Sequence, residues 1–238
     1  MAEPHRFLAS EPLLAPGEYA LGPEESHHAF RVMRMAAGDA ITLFDGFGRY
    51  GAAAISLADR DRVTARITEI LEDSRPRVHL TIATAMPKGK RWQVLVEKCT
   101  ELGVDRILPL LLDRSVAKGE GDPARWRRWA IEAAKQSRRA RLPEILEPGT
   151  LAAAIALAER EAAALFVGSP GGESPKAYAA PLAASGKALI VIGPEGGLSE
   201  REREWCGRAA AAEIRLSPFA LRIETAAAAA CTLIRDAV

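Results

Sequence analysis

Hydrophobic and polar residues alternate with a period of two at residues 62–68, which puts Val63, Ala65 and Ile67 on one face and is typical of a strand that buries that face. Strands are expected at Ala40–Phe44 and at residues 50–57 and 62–68, with turn residues between them. Residues 24–35 have the spacing of a short helix. Three short strands joined by tight turns predict a small barrel or meander.

The pattern changes after a polar, proline-terminated segment at residues 72–76, which we interpret as a linker between domains at residues 1–73 and 74–238. Beyond it, short apolar runs alternate with segments that have helical spacing. The expected strands are residues 78–83, 106–112, 164–167 and 188–192, and the expected helices lie at residues 92–103 and after residues 122, 150 and 221. This alternation predicts an α/β domain on a parallel sheet.

The composition is that of an ordinary globular protein, with 48% hydrophobic and 26% charged residues, which argues against disorder. No apolar stretch approaches the roughly 20 residues that span a membrane. The N-terminus lacks the order of a secretion signal. We therefore expect a cytoplasmic protein with no membrane partner.

The cysteines, Cys99, Cys206 and Cys231, lie far apart in no paired spacing, so neither disulfides nor a cysteine-rich zinc site is expected. Each is interpreted as a buried thiol. The adjacent His27 and His28 would point about 100° apart on a helix and would not chelate jointly. No metal is expected.

The distribution of charge is more informative than the net charge of +1. Residues 125–141 contain one acid, Glu132, and seven cations: Arg125, Arg127, Arg128, Lys135, Arg138, Arg139 and Arg141. Such a patch can neutralise phosphates even on a nearly neutral protein. A solvated basic face without a ligand is the alternative.

Two segments combine a strand end, a loop and a helix start. The first contains the glycine turn at residues 193–197 and a capping box formed by Ser199 and Glu202. Loops beyond strand ends commonly bind ligands in α/β sheets, and glycines let the backbone approach them closely. The second segment, residues 216–225, starts an alanine-rich helix with polar residues. A turn without a ligand and simple helix capping are the alternatives.

In order along the chain, these motifs resemble the 16S ribosomal RNA uridine methyltransferases called RsmE. The resemblance runs from about Arg6 to Ala230. Its motifs are Arg6-Phe7, His27-His28 with Val32 and Arg34, Gly38-Asp39, Asp45-Gly46, Lys98 with Glu101-Leu102-Gly103, Gln136-Ser137 with Arg139, Gly193-Pro194-Glu195-Gly196-Gly197, and Leu221-Arg222 with Glu224-Thr225-Ala226.

The resemblance implies an N-terminal PUA-like β-barrel and a C-terminal α/β domain of the SPOUT type, with a parallel sheet and a trefoil knot. It implies S-adenosylmethionine as cofactor, a homodimer, and 16S ribosomal RNA or the small ribosomal subunit as partner. The expected cofactor-binding residues are Gly168, Ile192, Gly193, Glu195, Gly196, Gly197, Leu216, Ser217, Leu221 and Arg222.

The chain departs from the family pattern in one loop. Ser217 stands where the family usually has glycine, Phe219 near its arginine and Ala220 near its isoleucine. The contacts of this loop and its hold on the target base are therefore expected to differ from those of the family, whereas the cofactor pocket is expected to be kept.

Methylation at ring nitrogen 3 of uridine requires loss of a weakly acidic proton and stabilisation of the resulting anion. No thiol is needed, whereas methylation at pyrimidine carbon 5 commonly uses a cysteine adduct. Arg222 is expected to stabilise the anion and Glu224 to orient it. Glu195 is a formal candidate for the base, although an unperturbed carboxyl with a pKa of about 4.3 suits that role poorly.

Basic residues of both domains are candidates for RNA contacts, which would make RNA affinity fall steeply with salt. They are Arg6, Arg31, Arg34, Lys88, Lys90, Arg128, Arg138 and Arg139.

Three other functions are compatible with parts of the sequence. A methyltransferase of the same architecture could act on transfer RNA. A nucleotide hydrolase would use residues 193–197 as a phosphate loop, but no Lys-Ser/Thr pair follows. A non-catalytic RNA-binding module leaves the glycine turn and the Arg222 segment unexplained.

Overall fold

The computed structural model describes residues 4–60, 62–115 and 121–238. The chain forms two compact units. The first is Met1–Arg75 with Ile131–Leu142, and the second is Pro76–Ala130 with Pro143–Val238. The inclusion of residues 131–142 in the first unit has no counterpart in the sequence pattern.

The first unit is a six-stranded sheet that closes on itself. Its strand order is β1-β3-β4-β5-β2, with β6 beside β4, and an antiparallel bridge between Ala9 and Leu21 joins the two ends of this order. The expected barrel is therefore confirmed. Its elements are β1 (His5–Leu8), β2 (Gly17–Ala20), α1 (Pro23–His27), β3 (Ala40–Phe44), β4 (Arg49–Ala58), β5 (Val63–Ile67) and β6 (Leu71–Glu72).

The helix predicted for residues 24–35 is shorter and less regular than expected. After α1 the chain widens into a π-helical turn at His28–Val32. Arg34 then adopts a left-handed backbone conformation, with φ of 56°, which ends the helical path before Met35.

Two apolar clusters stabilise the first unit. The larger fills the barrel and includes Phe7, Ile41 and Ile67. The smaller joins barrel residues to the segment that returns later in the chain, and consists of Leu8, Phe44, Ile131, Ala134 and Ala140.

The second unit alternates strands and helices, as the periodicity predicts. Its elements are β7 (His79–Ala85), α2 (Lys90–Glu101), β8 (Arg106–Leu111), α3 (Pro123–Ser137, the last seven residues of which belong to the first unit), β9 (Glu144–Ile145), β10 (Gly149–Thr150), α4 (Leu151–Glu161), β11 (Ala164–Glu173), α5 (Ala179–Ser185), β12 (Lys187–Ile192), α6 (Glu200–Arg208), β13 (Ala212–Ile214) and α7 (Ile223–Asp236).

The sheet of the second unit has the order β10-β8-β7-β12-β11-β13, with β9 also beside β8, and all its pairings are parallel. The central strands β7 and β12 are buried along almost their whole length, because helices cover both faces of such a sheet. The predicted α/β fold with a parallel sheet is confirmed.

The chain returns from the edge of this sheet to its centre at the C-terminus. Strand β13 is at the edge, and the following helix α7 packs against β7, β12 and α2. Threading of this return through an earlier loop, the knot that the resemblance implies, stays a prediction. Among the residues that the structure describes, none of the helices is both long and apolar enough to cross a membrane.

Candidate functional site

One cavity lies where three segments meet at the carboxyl edge of the parallel sheet. These segments are the glycine turn after β12, the part of β11 at residues 168–170, and the loop between β13 and α7. The first turn of α7 completes the wall with Ile223 and Ala226. Parallel strands end at the same edge, which is why segments far apart in sequence converge here.

Eight of the ten predicted cofactor-binding residues line this cavity: Gly168, Ile192, Gly193, Glu195, Gly197, Leu216, Ser217 and Leu221. Gly196 and Arg222 do not. Gly196 packs beside the side chain of Arg114, and Arg222 is the exposed N-cap residue of α7.

The other lining residues were not predicted: Ser169, Pro170, Pro194, Leu198, Phe219, Ala220, Ile223 and Ala226. Most of them are chain neighbours of predicted residues. Ile223 and Ala226 are three positions apart and so share a face of α7, but only the packing of that helix turns this face toward the cavity.

The glycine turn has a tight, defined backbone. The amide of Gly197 donates to the carbonyl of Pro194 at 2.8 Å, and Gly197 has a φ of 69°, a conformation that favours glycine. Immediately afterwards, the predicted capping box is present, since the Ser199 hydroxyl accepts from the amide of Glu202 and the Glu202 carboxylate accepts from the amide of Ser199. The start of α6 therefore fixes the end of the turn.

Asp113 and Arg114, just after β8, contact the glycine turn and the start of α6 from outside the cavity. The guanidinium of Arg114 donates to the carbonyl of Gly196 at 2.7 Å. The buried carboxylate of Glu202 also accepts from the amide of Asp113, at 2.8 Å. Nothing in the local sequence near residues 113 and 114 indicates these contacts, because their partners are more than 80 positions away.

Asp113 links the two segments through its own carboxylate. It accepts hydrogen bonds from the Ser199 hydroxyl at 2.7 Å and from Arg201 at 2.8 Å. The hydrogen bond from Ser199, followed by the interaction with Arg201, lowers the pKa of Asp113. The carboxylate is therefore ionised at neutral pH and available as an acceptor.

Glu195 is the single charged side chain among the described residues that line the cavity. A backbone amide hydrogen bond and the guanidinium of Arg91, 2.9 Å away, lower the pKa of Glu195. A carboxylate with a lowered pKa is a weak proton acceptor at neutral pH. The geometry therefore favours Glu195 as a hydrogen-bond acceptor or a negative charge rather than as a general base.

The two predicted catalytic residues lie at the start of α7, next to the cavity-lining Ile223. Arg222 is exposed and makes no capping hydrogen bond through its side chain. Oε2 of Glu224 is buried and has no hydrogen-bond partner within the described part of the chain. A buried carboxylate oxygen without a donor is unfavourable unless a ligand supplies one.

The predicted RNA-contacting residues of the first unit differ in exposure. The guanidinium of Arg6 is partly buried against the rings of Phe44 and Tyr50, at 5.4 and 5.6 Å from their centroids, which indicates a structural contribution. Arg139 is also half-buried. The exposed members are Arg31, Arg34 and Arg138.

The predicted RNA-contacting residues of the second unit are all exposed. Lys88 and Lys90 flank Gly89 at the start of α2, and Arg128 lies on α3. Their charged groups are therefore accessible to a polyanion.

The three cysteines are free and buried, as the sequence predicts. A hydrogen bond with Cys231, together with burial, raises the pKa of Cys99, and burial raises the pKa of Cys206 to about 11. Such thiols are poor nucleophiles at neutral pH. Across residues 4–60, 62–115 and 121–238, no group of three or more His, Cys, Asp and Glu side chains is arranged to hold a metal ion.

Family models match both parts of the chain. One described as an RNA methyltransferase domain matches residues 74–235, and one described as an RNA methyltransferase PUA domain matches residues 21–68.

Curated relatives cover most of the chain. Ribosomal RNA small subunit methyltransferase E of Mycobacterium bovis is 34% identical over 218 residues, which is 87% of this chain and 82% of that protein. The Bacillus subtilis protein of the same name is 31% identical over 219 residues, 87% of this chain and 86% of that protein.

Solved structures match nearly the whole chain. A Legionella pneumophila protein described as a methyltransferase, in complex with S-adenosylmethionine, has a TM-score of 0.85 at 29% identity and covers 99% of this chain and 98% of that one. Ribosomal RNA small subunit methyltransferase E from Neisseria gonorrhoeae, bound to S-adenosylmethionine, has a TM-score of 0.84 at 26% identity and covers 98% of each chain.

Proposed function

Because this chain belongs to the ribosomal RNA small subunit methyltransferase E family, we propose that it transfers the methyl group of S-adenosylmethionine to ring nitrogen 3 of a uridine in 16S ribosomal RNA. The observation that carries this proposal is the cavity at the sheet edge, which three separate segments enclose. We propose the cytoplasm as the site of this reaction, because its proposed substrate is ribosomal RNA.

The lining of the cavity fits S-adenosylmethionine. Apolar side chains such as Ile192, Leu216 and Leu221 suit an adenine ring and a hydrocarbon chain. Gly193 and Gly197 have no side chain, so a ligand can approach the backbone of the glycine turn closely, and the Glu195 carboxylate favours a nearby positive charge. The bound cofactor supplies an electrophilic methyl group on a sulfonium.

The start of α7 supplies the groups that act on the target base. We assign to Arg222 the stabilisation of the uridine anion. Arg222 is exposed and comes directly after Leu221, which lines the cavity. We assign to Glu224 orientation of the base, since its buried Oε2 lacks a donor within the described residues. The buried thiols need not take part.

We assign RNA binding to basic side chains of both units. The support is their charge and, for most of them, their exposure. They are Arg6, Arg31, Arg34, Lys88, Lys90, Arg128, Arg138 and Arg139. If they contact phosphates, RNA affinity measured at 50 and 200 mM salt falls by orders of magnitude, and a flat response would rule out the assignment.

We also propose that the protein is a homodimer, as the family resemblance implies. Val94 on helix α2 and its C-cap residue Leu102 are exposed, which is compatible with a partner surface. Light scattering of the purified protein should give twice the mass of one 25.5 kDa chain.

The decisive experiment uses small ribosomal subunits from cells that lack this protein. Purified enzyme and labelled S-adenosylmethionine should methylate these subunits, and mass spectrometry of the digested RNA should find the label at nitrogen 3 of one uridine. Arg222→Ala should lower turnover by about 100-fold or more without changing the Kd of the cofactor. Label in bulk transfer RNA instead would show that transfer RNA is the substrate. If calorimetry detected no binding of S-adenosylmethionine, methylation of either RNA by this protein would be excluded.

A further inference from the structure

An aromatic ring stands exposed at the mouth of the cavity. Phe219 is one of the lining residues, yet 77% of its surface is accessible. It is the one exposed aromatic side chain among the described residues of the second unit, where every other Trp, Tyr or Phe is buried or half-buried. A single exposed apolar residue is ordinary on a protein surface, but its place at this opening is informative.

The loop presents this ring from a fixed backbone. The amide of Phe219 donates to the Ser217 hydroxyl at 3.0 Å, and Pro218 between them restricts the chain. On either side, Leu216 and Leu221 pack against the core of the unit. The backbone that carries the ring is therefore restrained on both sides.

The ring of Phe219 is far more exposed than the inner wall of the cavity. The inner wall consists of buried residues such as Ile192, Leu198 and Ile223, whereas the ring of Phe219 is directed largely to solvent. A second planar group that approaches the cavity from outside would meet the ring first. A second copy of the chain is a weaker candidate, because the exposed neighbours Ala220 and Arg222 add little apolar area.

Among the described residues, no lysine or arginine lines the cavity. Its single charged lining side chain within the described residues, Glu195, is negative. The lining therefore supplies no cation for a phosphate, whereas stacking on an aromatic ring accepts any base and needs no charge.

We propose that the target base of the RNA stacks on Phe219 as it enters the cavity, so that Phe219 is a substrate-binding residue. This inference rests on the proposed methyltransferase function. Stacking acts alike on the bound substrate and on the transition state, so it contributes to the KM for RNA more than to kcat.

The test compares three substitutions on small subunits that lack the modification. Phe219→Ala removes the ring, Phe219→Leu keeps apolar bulk without an aromatic face, and Phe219→Trp enlarges the face. We expect Ala and Leu to raise the KM for RNA about 5- to 100-fold and Trp to keep it within about threefold of the wild type. The Kd of S-adenosylmethionine and the dimer mass should not change.

Other outcomes would each overturn the proposal in a recognisable way. A Leu variant with wild-type KM would mean that apolar bulk suffices. A weakened cofactor Kd would place the ring on the cofactor, and a loss of the dimer would place it on a partner subunit. A wild-type enzyme that binds S-adenosylmethionine but methylates no RNA would instead refute the proposed function.

A binding measurement keeps the stacking test independent of turnover. In Phe219→Trp, the added tryptophan fluorescence, taken as the difference from wild type, should be quenched when 16S ribosomal RNA transcript is added. An unquenched signal under conditions where the RNA is bound would refute base stacking at this position.

Discussion

At the scale of single residues, the shape of the glycine turn depends on side chains that do not enter the cavity. Arg114 is exposed, yet it bonds the carbonyl of Gly196 and lies within 3.5 Å of the carbonyl of Leu198. A charged donor on a backbone carbonyl is stronger than a neutral one. We regard Arg114 as a positioning residue for the turn.

Arg114→Met should therefore weaken the binding of S-adenosylmethionine roughly tenfold in calorimetry, because the turn loses a charge-assisted hydrogen bond. Arg208→Met is the matched control, since Arg208 is exposed on α6 and pairs only loosely with Glu204, at 3.5 Å. Equal cofactor affinity in the two variants would show that Arg114 does not position the turn.

The thiols lend themselves to a second measurement at this scale. With a pKa of about 11, Cys206 is ionised in only about one molecule in a thousand at pH 8, and the raised pKa of Cys99 acts in the same direction. The native protein should react with a thiol reagent at pH 8 far more slowly than glutathione does. Three equivalents should react once guanidinium unfolds the chain. Fast labelling of the native protein would contradict the burial of these groups.

At the scale of elements, two helices begin with side-chain caps of the same kind. Ser199 caps α6 beside the cavity, and Thr150 caps α4, with no residue of that cap lining the cavity. Both caps satisfy an amide in the first turn that has no helical partner. The cap of α6 has the additional function of ending the glycine turn.

Ser199→Ala and Thr150→Ala should each lower the free energy of unfolding by about 1 kcal/mol in denaturant titrations. Of the two, Ser199→Ala alone should also weaken S-adenosylmethionine binding, because it releases Asp113 as well as the start of α6. If the two variants lost cofactor affinity to the same extent, the cause would be general destabilisation rather than the turn.

At the scale of the whole molecule, the first unit needs a segment from far along the chain. Ile131, Ala134 and Ala140 bury apolar surface against Leu8 and Phe44. A fragment that ends at Arg75 exposes this surface. Loss of several buried contacts of this kind exceeds what a small domain can tolerate.

The fragment of residues 1–75 should therefore show no cooperative thermal unfolding in circular dichroism, whereas the full chain should. Addition of residues 131–142 through a flexible linker should restore a transition. A cooperative transition in the bare fragment would mean that the barrel core around Ile41 and Ile67 suffices.

Much of the fold follows from the sequence because periodicity is a local property. The alternation in β5 and the apolar runs of β12 define strands, and the Ser199-Glu202 pair defines a helix start, whatever the rest of the chain does. The helix before Arg34 was predicted too long, because a left-handed residue leaves no trace in the apolar pattern.

The tertiary structure decided what depends on contacts between distant segments. The sequence places Gly193 and Leu216 in separate loops, and only the parallel strand order brings them to one cavity. In the same way, packing rather than local pattern attaches Ile131 to the barrel, joins Arg114 to Gly196 and leaves the ring of Phe219 in solvent. Such contacts form because they lower the free energy of the whole packed chain. A short stretch of sequence cannot predict them, because it contains only one of the two partners.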